Sequence, residues 1–175
     1  MSANALGIHR LSEGRCRTIV NIGGQDLKVI RLADNGQVVD FKMNDKCAAG
    51  TGRFFEQVAR ILDISLEEFG PQGLASGGTV ELNSTCVVFA ESEIVSLLAK
   101  GVDRGAIIKG FHISVARRIS NLVGRNTTGE IYIDGGPSQD PGLIAALEDE
   151  LMINVNVLAN PQYTVAFGAA LSACR

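Results

Sequence analysis

Three short runs rich in β-branched residues follow one another almost without interruption: RTIVNI at 17–22, LKVIRL at 27–32 and QVVDFKM at 37–43. Only GGQD and ADNG separate them, connections too short for a crossover helix but suited to tight hairpins. The run therefore predicts a three-stranded antiparallel meander, which needs further elements to cover at least one face. Those elements follow with helical spacing. Phe54, Phe55, Val58, Ile61 and Leu62 share one helical face, as do Ile107, Ile108, Phe111, Val115, Ile119 and Leu122. Between them, 87–101 (VVFAESEIVSLLAKG) reads as a third helix, with Ser84 or Thr85 as N-cap candidates, Lys100 in the last turn and Gly101 beyond it. The chain then returns to α/β order. EIYIDGG (130–136) is a strand entering a glycine turn, 143–151 a helix, 154–158 a strand, and Asn160-Pro161 opens a closing helix of small residues. The stretch from Pro71 to Gly78 reads as a loop.

With 175 residues and 46% hydrophobic composition, the chain is expected to form one domain over 1–175 with a sizeable core. A net charge of −3, scattered along the chain, argues against nucleic acid and anionic membranes as partners. No apolar run reaches the roughly 18 residues of a membrane span, and the first residues lack a signal-peptide core, so the expected location is cytoplasmic. Cys16, Cys47, Cys86 and Cys174 form no CxxC pair, which speaks against a disulfide framework or a zinc ribbon.

Three stretches are candidates for chemistry, each with a plain structural reading beside it. In NIGGQDLK (21–28) the Gly23-Gly24 pair serves either a plain hairpin turn or a close approach of backbone N–H groups to phosphate, with Gln25 and Asp26 near its metal or the attacking water. IDGGPSQD (133–140) runs from a strand end through Gly135 and Gly136 towards a helix, which is the position where α/β folds hold nucleotides and also an ordinary strand-to-helix connection. The third feature is the pair Cys47 and Cys86, each followed by a helix start that favours a thiolate and offers it free N–H groups. Two buried structural thiols are the competing reading. Two cysteines cannot complete a four-thiolate cluster, but two copies of the chain can.

VNIGGQDLKVI, FKMNDKCAAGTGRFFE and STCVVFAESEI, with cysteines 39 residues apart, closely resemble the activator ATPases of 2-hydroxyacyl-CoA dehydratases and the related benzoyl-CoA reductase subunits, the BadF/BadG/BcrA/BcrD family. The resemblance implies a ribonuclease-H-like α/β domain of the acetate and sugar kinase, heat-shock chaperone and actin superfamily. It implies a homodimer sharing one four-iron, four-sulfur cluster, with Cys47 exposed at the dimer face, Cys86 as the second ligand, and 44–101 as the cluster-binding region. ATP or ADP with magnesium would meet Gly23, Gly24 and Gln25 on the phosphate side and Gly135 and Gly136 on the adenosine side, with Gln25 and Asp26 closest to the chemistry. The implied activity is ATP-driven transfer of one electron, received from a donor such as ferredoxin or flavodoxin, into a partner dehydratase of anaerobic metabolism. A non-hydrolysing iron–sulfur dimer or assembly module is the alternative.

Asn21 stands where the family's loop has an acid, which predicts weaker magnesium binding and hydrolysis. The chain resembles the C-terminal two-thirds of a family member, so half of the ATP cleft is expected from elsewhere, and ATP turnover depends on that half. GGPSQDPG departs from the family's adenosine turn. Cys16 and Cys174 are expected to be non-ligands, Arg117 and Arg118 a solvated face, His112 a packed or surface residue, and Lys46 and Arg53 charges flanking Cys47. Glu91 and Glu93 are placed near enough to Cys86 to face a partner.

Overall fold

The computed structural model describes residues 1–44, 46–83, 86–124 and 129–174. The meander forms as expected: β1 (Cys16–Ile22), β2 (Leu27–Leu32) and β3 (Val38–Asn44) pair antiparallel in sequence. β4 (Glu130–Asp134) and the two-residue β5 (Asn156–Val157) add in parallel on the other side of β1, giving the order β3-β2-β1-β4-β5. This mixed sheet with flanking helices is the ribonuclease-H-like arrangement.

Period-two alternation divides the sheet into two faces. Val20, Ile22, Val29, Ile131 and Ile133 point into the larger core, which α2 (Gly52–Leu62), α3 (Leu66–Ala75), α4 (Val87–Ala99), α5 (Arg104–Val123) and α6 (Pro141–Leu151) help to build. Phe111 of α5 lies at its centre, with its ring 4.8 Å from those of both Phe54 and Phe55 and 5.4 Å from that of Phe69, each edge to face. On the opposite face Ile19, Ile30 and Tyr132 meet Ala5 and Ile8 of α1 (Ser2–Leu11), against which α7 (Thr164–Ala173) packs closely. At their crossing Gly7 and Gly168 let the backbones touch, with no room for a Cβ on either.

Several local expectations change. The stretch 71–78 is not a loop throughout: Pro71–Ala75 form the second half of α3, where Ser65 and Glu68 close a capping box and Pro71 sits inside the helix. Propensity gave way to packing, because Phe69 and Gly73 are buried against α5 and α6. Residues 2–11, with no strong helical pattern, are helical because α7 covers their small residues. The Ser84 and Thr85 caps fall outside the described residues, and Cys86 occupies the N-cap position of α4. Gly101 ends that helix with φ +74°, as its position predicted. Asn160-Pro161 leads through a short 3-10 turn into α7.

Candidate functional site

Both glycine turns open onto one cavity of about 560 Å³, lined among others by Gly24, Gly52, Glu56, Glu67, Gly136 and Gln162. Within each pair the two glycines differ. A Cβ on Gly23 would overlap the Asp26 carboxylate, and one on Gly135, where φ is +95°, would overlap the Ile22 carbonyl. Gly24 and Gly136 have open space where a side chain would stand. The first glycine of each pair thus lets the chain turn tightly, and the second leaves bare backbone towards the cavity.

The two turns are joined by the start of α2. The N–H of Gly52 donates to the Gly23 carbonyl and that of Arg53 to the Gly24 carbonyl, both at 2.9 Å, while a side chain at Gly52 would meet Gly24 and Pro137 together. Two of the free amide donors that begin any helix are consequently spent on the 23–26 turn. On the 133–140 turn, the Gly135 N–H donates to the Pro161 carbonyl at 3.0 Å, and Gln139 donates to the Gln162 side chain at 3.1 Å. Asp140 then caps α6 by accepting from the N–H groups of Gly142 and Leu143, and its second oxygen lies 3.2 Å from His112 Nε2. His112 is buried among Phe55, Phe69 and Phe111 and is therefore a packed histidine that braces the cavity wall.

Of the expected residues, Gln25 is exposed and outside the cavity lining, and Asp26 pairs with Lys28 at 2.6 Å instead of facing the cavity. Lys28 had no role in the sequence reading, although a cation two residues from an acid on a strand start is a visible signal. A second unforeseen group lies behind the turns. Asn21 Nδ2 donates to Asp134 Oδ1 at 2.9 Å, and the Thr164 hydroxyl donates to Asp134 Oδ2. Burial pushes the Asp134 carboxyl above its ordinary value, opposed first by the Thr164 bond, then by the Asn21 bond. The Asn4 amide of α1, 3% exposed, approaches the same carboxylate, yet neither its nitrogen nor its oxygen completes a hydrogen bond among the described residues.

The cysteines separate by environment. Cys16 opens β1 fully buried, and burial pushes its thiol up to about 12. Cys174 is exposed. Cys47 is half-buried and packs against the larger core, so it is less exposed than its expected place on a dimer face required. The Asn44 amide donates to its carbonyl at 3.2 Å, tying the loop to the end of β3. Cys86 is exposed at the N-cap of α4, and its side chain makes no capping bond. One helical turn or more beyond the two cysteines, Gln57 of α2 donates to Glu91 of α4 at 3.0 Å. Glu93 accepts from the Asn83 N–H at 3.0 Å, so both acids are engaged within the chain. Arg53 pairs with Glu56. Arg117 is exposed as expected, but Arg118 is half-buried with its stem against the position of Gly50. Among the described residues no group of three or more His, Cys, Asp or Glu could hold a metal ion. Cys47 and Cys86 fit a cluster only as two of four ligands.

Comparison with known proteins agrees with the motifs. The sequence pattern of the BadF/BadG/BcrA/BcrD ATPase family matches residues 1–173. The chain is 47% identical over 174 residues to the activator of lactoyl-CoA dehydratase of Anaerotignum propionicum, covering 99% of this chain and 67% of that protein. It is 45% identical over 157 residues to the (R)-2-hydroxyglutaryl-CoA dehydratase activating ATPase of Acidaminococcus fermentans, covering 89% and 60%. The solved activator of the 2-hydroxyisocaproyl-CoA dehydratase from Clostridium difficile, with bound ADPNP, superposes with a TM-score of 0.92 at 40% identity, over 98% of this chain and 64% of that one. The chain thus spans about two thirds of the length of these relatives, from 60% to 67%. More distant structures, the ethanolamine utilization protein EutJ from Carboxydothermus hydrogenoformans at TM-score 0.59 and a PilM-PilN pilus biogenesis complex at 0.54, share the fold alone. By its sequence pattern, its motifs and its fold, the chain belongs to the BadF/BadG/BcrA/BcrD ATPase family.

Proposed function

We propose that this chain is the cysteine-bearing, nucleotide-binding part of an ATP-driven one-electron activator of a 2-hydroxyacyl-CoA dehydratase. The observation that carries the reading is the place of α2. Its first two N–H groups are bonded to the Gly23-Gly24 turn, its first residue also lies against Pro137 of the other turn, and the loop leading into it carries Cys47. A change of nucleotide state at either turn would therefore be felt at a cysteine segment, which is what coupling ATP to electron delivery needs. The Gln57–Glu91 bond extends that link to α4 and Cys86.

In this reading Gly24 and Gly136 offer backbone N–H groups to the nucleotide, Gly23 and Gly135 keep the turns tight, and Gln25 and Asp26 stand at the phosphate end, with Lys28 holding Asp26. Cys47 and Cys86 of each of two copies would hold one four-iron, four-sulfur cluster, which supplies a low-potential electron when bound. The exposed apolar residues beside Cys86, Val88 at 67% and Phe89 at 68%, support a second copy as the cover of this face. The partners are then a dehydratase component and a ferredoxin- or flavodoxin-type donor. A second reading, a cluster-bearing dimer that does not hydrolyse ATP, is favoured by the neutral Asn21.

Anaerobic reconstitution of the chain and of Cys47→Ser, with iron and sulfide analysis, electron paramagnetic resonance and mass determination, tests the proposal. About four irons per two chains, lost in the variant, is the expected result. An iron-free monomer would overturn it. Magnesium-dependent ATP turnover, measured with and without the segment of a relative that this chain does not span, decides between the two readings.

A further inference from the structure

Asn21 and Asp134 stand opposite each other in the parallel register of β1 and β4. Two residues earlier on each strand, Ile19 and Tyr132 belong to the core beneath α1, so Asn21 and Asp134 point to that same face. Asp134 has no exposure, whereas Asn21 keeps 8%. An ionised carboxylate can only accept, so its oxygen takes the NH2 end of the Asn21 amide and turns the amide oxygen the other way. The Thr164 hydroxyl holds the second carboxylate oxygen, which leaves the carboxylate one orientation. Asn21 itself stands two residues before Gly23.

We infer that Asp134 is a positioning residue for the phosphate-side turn: it fixes the orientation of the Asn21 amide two residues before Gly23, so that position 21 presents a neutral acceptor while the negative charge is kept one strand behind it. The inference rests on the proposed nucleotide reading for what the oxygen meets. The orientation itself does not depend on that reading. On this basis the two positions, facing each other across β1 and β4, form an exchangeable acid–amide pair.

A double-mutant cycle of Asn21→Asp, Asp134→Asn and both together tests this. Three readouts apply: the side-chain amide signals in nitrogen-15 NMR, the Tm, and the affinity for a fluorescent ATP analogue with and without magnesium. In the unaltered chain the Asn21 amide should exchange slowly, and Asp134→Asn should remove that protection and weaken magnesium-dependent binding about tenfold, the scale of one charge-assisted hydrogen bond. Binding without magnesium should change little. Asn21→Asp should lower the Tm by placing two carboxylates in contact, and the double variant should recover it and bind the magnesium complex at least as tightly as the unaltered chain. An Asn21 signal indifferent to Asp134→Asn, or strictly additive Tm changes, would overturn the inference. If no variant binds nucleotide while the NMR and Tm coupling persist, the positioning stands and the nucleotide reading falls.

Discussion

At the glycine turns, polar groups are buried and answered: Asp134 has two donors, Asp140 caps a helix and meets His112, and the first amides of α2 end on the 23–26 turn. Around Cys86 the reverse holds, with an exposed thiol at a helix start and Val88, Phe89 and Val95 of α4 left 51–68% exposed. The contrast teaches that one end of the molecule is pre-formed within the chain, while the other leaves a thiol and apolar side chains uncovered. A preorganised polar site costs stability when any member is removed, whereas trimming an uncovered apolar face changes the stability of the chain little.

The comparison is broken most forcefully at the glycines. Gly135→Ala should destabilise by about 2–4 kcal/mol in chemical denaturation, positive φ adding to the collision with the Ile22 carbonyl. Gly136→Ala should stay within about 0.5 kcal/mol yet weaken nucleotide binding, because its Cβ enters open space at the cavity. Equal losses would mean that the second glycine is structural too.

Removing a donor from the buried carboxylate comes next. Thr164→Val should cost about 1–3 kcal/mol at pH 7. Because the folded carboxyl lies above its ordinary value of 3.8, its contribution to stability is fully present below that pH and is lost as pH rises through the folded value. The variant loses a donor that favours the carboxylate, so its deficit should shrink towards pH 4 in paired unfolding curves. A pH-independent deficit would show that Thr164 acts by packing alone.

At the other end, Phe89→Ser should leave monomer stability within about 0.5 kcal/mol but shift the chain towards monomer in analytical ultracentrifugation. The smallest effect is chemical. With its thiol pushed up to about 12 and no exposure, Cys16 should resist iodoacetamide at pH 8, where exposed Cys86 and Cys174 are alkylated in peptide mapping.

The meander, the main helices and both glycine turns were legible because their signals are local: alternation, 3.6-residue spacing and Gly pairs between strands. Pro71–Ala75 were misread because Pro and Gly there look like breakers, and only the neighbouring α5 and α6 make helix the better choice. Asp134 was hidden for a different reason. Its importance comes from Asn21 and Thr164, 113 and 30 residues away, and no local pattern announces a hydrogen bond across strands.

From the sequence alone came the fold class, the meander and the two glycine turns, because turn chemistry and periodicity are written in neighbouring residues. The tertiary structure alone decided that Gly24 and Gly136 share a cavity, that α2 bridges both turns, and that the acid behind Asn21 is Asp134. These depend on which strands lie side by side, and parallel pairing of β1 with β4 joins residues separated by most of the chain.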